Sequence, residues 1–417
     1  SMTAWFYGSD FPPVYEVEKA YLESLEECHP DLPAISSAAD KPTKLTGEPG
    51  VKMSGPYSYV PPQYWYDQDM PGVAGKFNTE TCPDMCIPQM DSLKKMLSSG
   101  ELEVESEGWK LHSGLADFSD TRMLDRVIEG RFGKNLSLEN YVKAAQFIGY
   151  QSWRAMFEAH FKNWPDATGV IGWMLNSSWP SLIWQLYDYY NMPNGAFYGS
   201  KKACESLHLQ YSYDDNTIYL ANQSYEEYYN LNVRVVLYNI DLQKKYTNEM
   251  KVESVVEYGK QKLFAVPGEY LDKGLSFLFL YLENDENRIS KNVYYLPEGK
   301  DIYEENSNQW FHIPLKEFAS FKEIMKLPTA EIKMDYKIYR EKDQIKISVK
   351  LKNQSEFISC FNQLKVYDKD EEIINPVYWS DNYVTILPGE QEELTAIIKR
   401  NEVKSVENLH LSIECFN

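Results

Sequence analysis

The chain is short of most of the features that announce a metal, a nucleotide or a membrane. In 417 residues no apolar run reaches the roughly 18 residues that a membrane-spanning helix needs. Cysteine is sparse: Cys28, Cys82, Cys86, Cys204, Cys360 and Cys415 are the six. None forms a C-x-x-C pair, and the C-x3-C of Cys82 and Cys86 has no second pair, so a zinc site is not expected. Six cysteines in so long a chain are also too few for a disulfide framework, and the redox compartment stays open. The six histidines are scattered, with none paired at metal-ligand spacing. His160, near a helix end, is read as a cap or core residue. No G-x-S-x-G elbow, P-loop or H-E-x-x-H occurs. Positive charge is short too: 42 Lys and Arg stand against 62 Asp and Glu, a net charge of −20. Such a field repels phosphate backbones and anionic membranes and favours a cationic ligand, so neither nucleic acid nor membrane is expected as a partner.

What the chain has in excess is aromatic surface, with 32 Tyr and 10 Trp. That composition leans towards sugar binding or β-rich folds. The densest stretch is Gly169 to Tyr190, GVIGWMLNSSWPSLIWQLYDYY. A short apolar run, Val170 to Leu175, meets a polar turn, Asn176-Ser177-Ser178, and then Trp179, Trp184, Tyr187, Tyr189 and Tyr190. Flat rings stack on the C–H faces of a pyranose, and Asn supplies both a donor and an acceptor. Two readings stand: a barrel strand emptying into a sugar pocket, or a core strand with a Trp-rich helix behind it.

In chain order, Thr3 to Tyr7 reads as a buried strand ended by Gly8-Ser9-Asp10, and Pro12-Pro13 forbids its continuation. The opening, Ser-Met-Thr-Ala-Trp-Phe-Tyr-Gly, has no signal-peptide pattern and lies already inside a strand. We therefore expect a chain cut at its N-terminus, with Met2 an internal start and Ser1 a cloning scar. Helical spacing follows over Glu16 to Cys28, Ile87 to Leu97, Arg122 to Arg131, Leu138 to Phe161 and Ala196 to Glu205. Strands are expected at Leu32 to Ser36, Val51 to Met53 and Ala74 to Asn78. The segment SGPYSYVPPQYWYD is too irregular for either. Strand, loop and helix repeat with polar groups at strand ends, the signature of a (β/α) barrel with its site at the strands' C-terminal ends. About five of eight strands can be counted.

After Ser206 short alternating strands take over, the pattern of all-β sandwiches, and a Pro- and Lys-containing segment from Pro314 to Pro328 divides them into two. The expected organisation is multidomain α/β plus all-β: residues 1–205 as the C-terminal part of a (β/α)8 TIM-barrel catalytic domain, then immunoglobulin-like β-sandwiches at 206–325 and 326–417.

Two acids stand at strand ends, Asp10 and Glu80. A retaining glycosidase needs a protonated acid and an ionised nucleophile about 5–5.5 Å apart. The alternative is that both are ordinary loop residues, since Asp after Gly-Ser is common turn chemistry.

Several segments together resemble glycoside hydrolase family 2: GSDF (Gly8 to Phe11), MSGPYSYVPPQYWYD (Met53 to Asp67), KFNTE (Lys76 to Glu80), GWMLNSSWPSLIWQLYDYY, and GAFYGSKKACESLHLQYSYDD (Gly195 to Asp215). The branch they are most similar to is the exo-β-D-glucosaminidases acting on chitosan oligosaccharides. The resemblance covers roughly residues 1 to 220; beyond that only the domain type is similar. It implies a chain beginning at barrel strand 4, with Asp10 as acid/base on that strand and Glu80 as nucleophile on strand 7. Ser9-Asp10 replaces the Asn-Glu of the wider family and is similar to the glucosaminidase branch. This speaks against β-galactosidase or β-mannosidase, and the β-mannosidase-like reading is kept as the alternative beside a non-catalytic carbohydrate-binding remnant. Pro13 departs from the acidic residue often found there. The resemblance implies Trp173 as the floor under the sugar. Ser9, Tyr57, Tyr59, Trp65, Asn176 and Trp179 are the further expected substrate-binding residues. No cofactor and no metal are implied. The partners implied are an oligosaccharide and, to complete the barrel, an upstream polypeptide or a second copy. A secreted or periplasmic setting is implied by the family alone.

Overall fold

The computed structural model describes residues 3–114, 121–271, 274–304, 311–403 and 407–417. Ser1 and Met2, the expected scar and internal start, lie outside the described residues.

The first part is built from parallel strands, which require crossovers and therefore helices. Strands β1 (Trp5–Phe6) and β2 (Ala34–Ile35) pair in parallel, with α1 (Tyr15–Cys28) between them. Strands β3 (Val51–Lys52), β4 (Lys76–Thr81) and β5 (Ala167–Gly172) form a second parallel sheet in that order. The long connection from β4 to β5 holds α2 (Met90–Met96), α3 (Glu107–His112), α4 (Arg122–Phe132) and α5 (Leu138–Lys162), and α6 (Gly195–Ala203) follows β5.

Helix α5 is the spine of this part. Ser137 caps it by accepting the Asn140 N–H at 3.3 Å, and most of its length is buried. Helix α6 packs directly on it because Gly195 and Gly199 have no side chain: a Cβ at either would lie 2.1 Å from the carbonyl oxygen of Gln146 or Tyr150.

Two expectations change here. Strand β1 is not buried: Trp5 is half-buried and Phe6 exposed, because among the described residues β1 pairs only with β2. Helix α1 also leaves Val17 and Tyr21 exposed. The residue it does bury is Glu18, whose carboxylate accepts from the Tyr7 hydroxyl at 3.0 Å and from Thr43 Oγ1 at 2.7 Å. The second change is in the Tyr- and Pro-rich segment, where Pro62–Tyr66 forms a buried 3-10 turn.

The next part is a two-sheet sandwich. One sheet holds β6 (Leu207–Tyr211), β7 (Thr217–Asn222) and β10 (Lys260–Ala265). The other holds β8 (Tyr228–Asn239), β9 (Lys244–Val255), β11 (Ser276–Glu283) and β12 (Arg288–Leu296). Leu278, Leu280 and Leu282 of β11 face the sandwich core, while the alternate residues Phe277, Phe279 and Tyr281 join the core around α5. Both faces of β11 are covered, which accounts for its unbroken apolar run. The buried side chains of Arg154 and Glu158 on α5 reach β12: Arg154 donates to Asn292 Oδ1 and to the Val293 carbonyl, both at 2.8 Å, and Glu158 accepts from the Tyr294 hydroxyl at 2.7 Å. A short hairpin, β13 (Ile302–Tyr303) with β14 (Leu315–Glu317), leads to a second sandwich. Its sheets are β15 (Ile332–Arg340), β16 (Gln344–Asn353), β20 (Gln391–Lys399) and β18 (Tyr378–Trp379) on one side, and β19 (Val384–Ile386), β17 (Ser359–Tyr367) and β21 (His410–Glu414) on the other.

Candidate active site

The C-terminal ends of the parallel strands carry the candidate chemistry. Just beyond β1 the chain turns through Gly8, where a Cβ would sit 2.4 Å from the Ser36 carbonyl oxygen; only glycine lets the chain pass so close to β2. This turn presents Ser9 and Asp10 to solvent, and Ser9 Oγ donates to Asp10 Oδ1 at 3.0 Å.

Strand β4 carries Glu80. The neighbouring Thr79 points the other way and fixes the strand by donating to the carbonyls of Ala38 at 2.6 Å and Lys52 at 3.1 Å. Glu80 is half-buried and accepts the Tyr57 hydroxyl on Oε1 at 2.7 Å. Burial raises the Glu80 carboxyl above its ordinary value, the Tyr57 hydrogen bond pulls it back down, and the charge of Asp10 pushes it up again. Tyr57 is itself held neutral by burial, by its bond to Glu80, and by the charges of Glu80 and Asp10. The two carboxyl groups singled out in the sequence therefore lie within electrostatic reach of one another and of one phenol.

Strand β5 delivers Trp173, whose N–H donates to the Thr81 carbonyl at 2.8 Å, so the ring emerges beside the end of β4; it is 40 % exposed. The Trp173–Met174 peptide is cis. The following turn leaves Asn176 exposed and Trp179 54 % exposed, with Trp179 stacked on His112 at 5.5 Å. The Trp-rich segment is not a helix: residues 179–190 form an irregular loop pinned by bridges from Tyr187 to Asn176 and Pro193, and the helix against β5 is α5.

Of the expected substrate-binding residues, Ser9, Trp173, Asn176 and Trp179 stand exposed after these strands, Tyr57 is buried with its hydroxyl on Glu80, and two others lie in the core. Tyr59 is buried with its ring near the Arg131 guanidinium, 5.3 Å away. Trp65 is fully buried in the 3-10 turn, packed on Tyr64 and His160. Both rings are buried, Trp65 within the 3-10 turn and Tyr59 in the segment just before it. His160 is buried, as expected for a core residue.

Sequence reasoning missed three neighbours: Trp184, whose indole N–H donates to the Tyr57 carbonyl at 3.1 Å; Phe311, whose carbonyl accepts the Tyr57 N–H at 3.0 Å; and His112 beneath Trp179. Phe311 lies more than 250 residues from Tyr57, and no local pattern marks such a contact.

Comparison with known proteins agrees with the motif resemblance. Residues 310–417 match the family model described as the exo-β-D-glucosaminidase Ig-fold domain, which identifies the second sandwich as an immunoglobulin fold. The exo-β-D-glucosaminidase of Amycolatopsis orientalis is 35% identical over 425 aligned positions, covering 97% of this chain and 41% of that protein. The crystal structure of the Amycolatopsis orientalis exo-chitosanase CsxA superposes with a TM-score of 0.93 at 34% identity, over 100% of this chain and 50% of that one. A β-D-mannosidase from Dictyoglomus thermophilum shares the fold, with a TM-score of 0.68 at 17% identity over 95% of this chain and 44% of that one. The chain spans about half the length of the relatives it matches. Over that span it is similar to the exo-β-D-glucosaminidases.

Proposed function

We propose that the chain carries the catalytic pair of a retaining exo-β-glycosidase that removes terminal β-linked glucosamine from chitosan-type oligosaccharides. The observation that carries this reading is that Asp10, just beyond β1, and Glu80, near the end of β4, are coupled through charge, in a chain 35% identical to an exo-β-D-glucosaminidase. In the first step Glu80 attacks the anomeric carbon while Asp10 gives its proton to the leaving glycosidic oxygen. In the second, Asp10 takes a proton from water, which displaces Glu80 and returns the sugar with its β configuration. Trp173 floors the site, Asn176 and Trp179 wall it, and Ser9 orients Asp10. Glucosamine carries an ammonium group, and a pocket with two carboxylates in a chain of net charge −20 favours it over a neutral sugar.

Residues 1–205 are read as five strands of a TIM barrel, with the sandwiches at 206–325 and 326–417. Among the described residues β1 pairs only with β2, and β5 only with β4. Phe11 and Val14 beside β1 are more than 70 % exposed. Open strand edges flanked by apolar side chains favour completion by three further β/α units, supplied by an upstream polypeptide or a second copy. The same edges favour the second reading, a carbohydrate-binding piece without turnover of its own.

Hydrolysis of chitosan oligomers and an aryl β-D-glucosaminide, with the aryl β-mannoside and β-galactoside alongside, tests the proposal. Glucosaminide cleavage with initial release of the β anomer is expected. Glu80→Gln should lower it more than about a thousandfold, the scale seen when one member of a catalytic unit is removed. Preferred mannoside cleavage, or cleavage that survives in Glu80→Gln, would overturn it.

A further inference from the structure

Three loops meet behind the candidate nucleophile, and one residue joins them, by its side chain to one loop and by its main chain to the other two. Trp184 donates its indole N–H to the Tyr57 carbonyl at 3.1 Å, in the segment after β3. Its own N–H donates to the Met85 carbonyl at 3.0 Å, in the segment after β4. Its carbonyl accepts the Met174 N–H at 2.8 Å, in the turn after β5. Its ring packs on that of Tyr57, with centroids 5.7 Å apart. Trp184 thus touches the loops that follow three consecutive parallel strands.

Tyr57 is held from the other side as well. Its N–H donates to the Phe311 carbonyl, which also accepts Ser58 Oγ at 3.4 Å. The peptide units flanking Tyr57 are therefore clamped between the indole of Trp184 and the segment entering β14. What that clamp aims is the phenol, 2.7 Å from Glu80 Oε1. A ring and two main-chain bonds set the Tyr57 backbone, and the backbone sets whether the hydroxyl reaches the carboxylate.

We propose that Trp184 is a positioning residue for Glu80, acting through Tyr57. It touches no reacting atom; it fixes the donor that holds the nucleophile in place. The inference deepens the reading of Glu80 as nucleophile and rests on it for its catalytic meaning, while the geometry it invokes can be tested without turnover.

The titratable groups acting on Glu80 are Tyr57 and Asp10. Because the Tyr57 hydrogen bond lowers the Glu80 proton affinity, loosening that bond raises it. Protonation of Glu80 can be followed by pH-difference infrared spectroscopy as the carboxyl C=O band that is lost in Glu80→Gln. Tyr57→Phe should raise the midpoint by about one pH unit, the scale of one lost hydrogen bond to a charged group. Trp184→Phe should raise it in the same direction, and the double variant should equal Tyr57→Phe alone. Trp109→Phe, at a fully buried indole on α3 distant in the chain from Tyr57, should leave the midpoint in place even if it lowers the melting temperature. A Trp184→Phe midpoint that stays at the wild-type value while Tyr57→Phe shifts would overturn the proposal, as would additive shifts in the double variant. Because the readout is protonation, a chain without turnover still decides the matter. Failure of the nucleophile reading shows separately, as hydrolysis that survives in Glu80→Gln.

Discussion

Arg131 on α4 and Asp301 at the entry to β13 form an ion pair at 2.6 Å, with both side chains only 2 % exposed. Asp301 also accepts the Ala319 N–H at 3.0 Å, and its carbonyl accepts Gln63 Nε2 at 3.2 Å. One carboxylate thus ties the helices of the first part to the segment between the two sandwiches. Removing it leaves a guanidinium buried without its counter-charge. Asp301→Ala should therefore cost about 3–5 kcal/mol, the usual penalty for breaking a buried pair from one side. Urea denaturation checks this; a loss below about 1 kcal/mol would mean that water reaches Arg131.

Much of this architecture is legible in the sequence, for physical reasons that differ by element. The spacing over Leu138 to Phe161 announces α5, found at Leu138–Lys162, because a helix buried along most of its length must repeat its apolar residues at the helical period. Glu80 is legible because it follows the strand expected at Ala74 to Asn78, and strand ends are where such folds place chemistry. The segment from Tyr57 to Tyr66 is not legible. Its five Tyr and Trp rings follow no period, and which of them face the site depends on partners such as Phe311 and Trp184, far away in the chain. Strand β9 (Lys244–Val255) is hard to read because its outward residues are charged or polar and Asn248 interrupts the inward alternation of Tyr246, Met250 and Val252.

The rim aromatic Trp179 separates binding from chemistry. Its ring lies over His112 and is half open to solvent. If it walls the sugar, Trp179→Ala should remove contact present equally in ground and transition states. KM for chitosan oligomers should then rise about tenfold, equivalent to about 1.4 kcal/mol, with kcat nearly unchanged. Steady-state kinetics on oligomers would show it, and a fall in kcat at constant KM would contradict it.

Asp84, four residues after Glu80, is fully enclosed. Burial pushes its carboxyl up to about 7, against the hydrogen bonds it accepts from the N–H groups of Cys86 and Met85. Its folded-state pKa therefore lies above the unfolded value of about 3.9. Between about pH 4 and pH 7 the unfolded chain releases this proton and the folded chain keeps it, so stability is full below that window and falls as pH rises through it. Glu158, also raised to about 7 by burial, acts in the same sense. Asp84→Asn removes its own share of this effect. The variant should lose less stability than wild type between pH 4.5 and pH 7.5 in urea denaturation, and parallel pH profiles would contradict the assignment.

The contact of α5 with α6 sets two effects of one methyl group against each other. Alanine is favoured over glycine inside a helix by about 0.8–1.0 kcal/mol. At Gly199, however, the added Cβ would sit 2.1 Å from the Tyr150 carbonyl oxygen, and that atom is backbone of a buried helix, not the far end of a flexible side chain. The helices must separate, and overpacking of this kind costs about 1–3 kcal/mol. Crowding exceeds propensity, so Gly199→Ala should lower stability. At Gly268 a Cβ meets nothing within 4 Å, so Gly268→Ala should be neutral or slightly stabilising through the unfolded chain. Thermal unfolding of the two variants side by side tests the packing directly. Separation of α6 also disturbs the loop before it, which carries Trp184, so Gly199→Ala should weaken the hold on Tyr57 as well as the fold. An equal melting temperature for both variants would mean that α6 sits farther from α5 than the glycines imply.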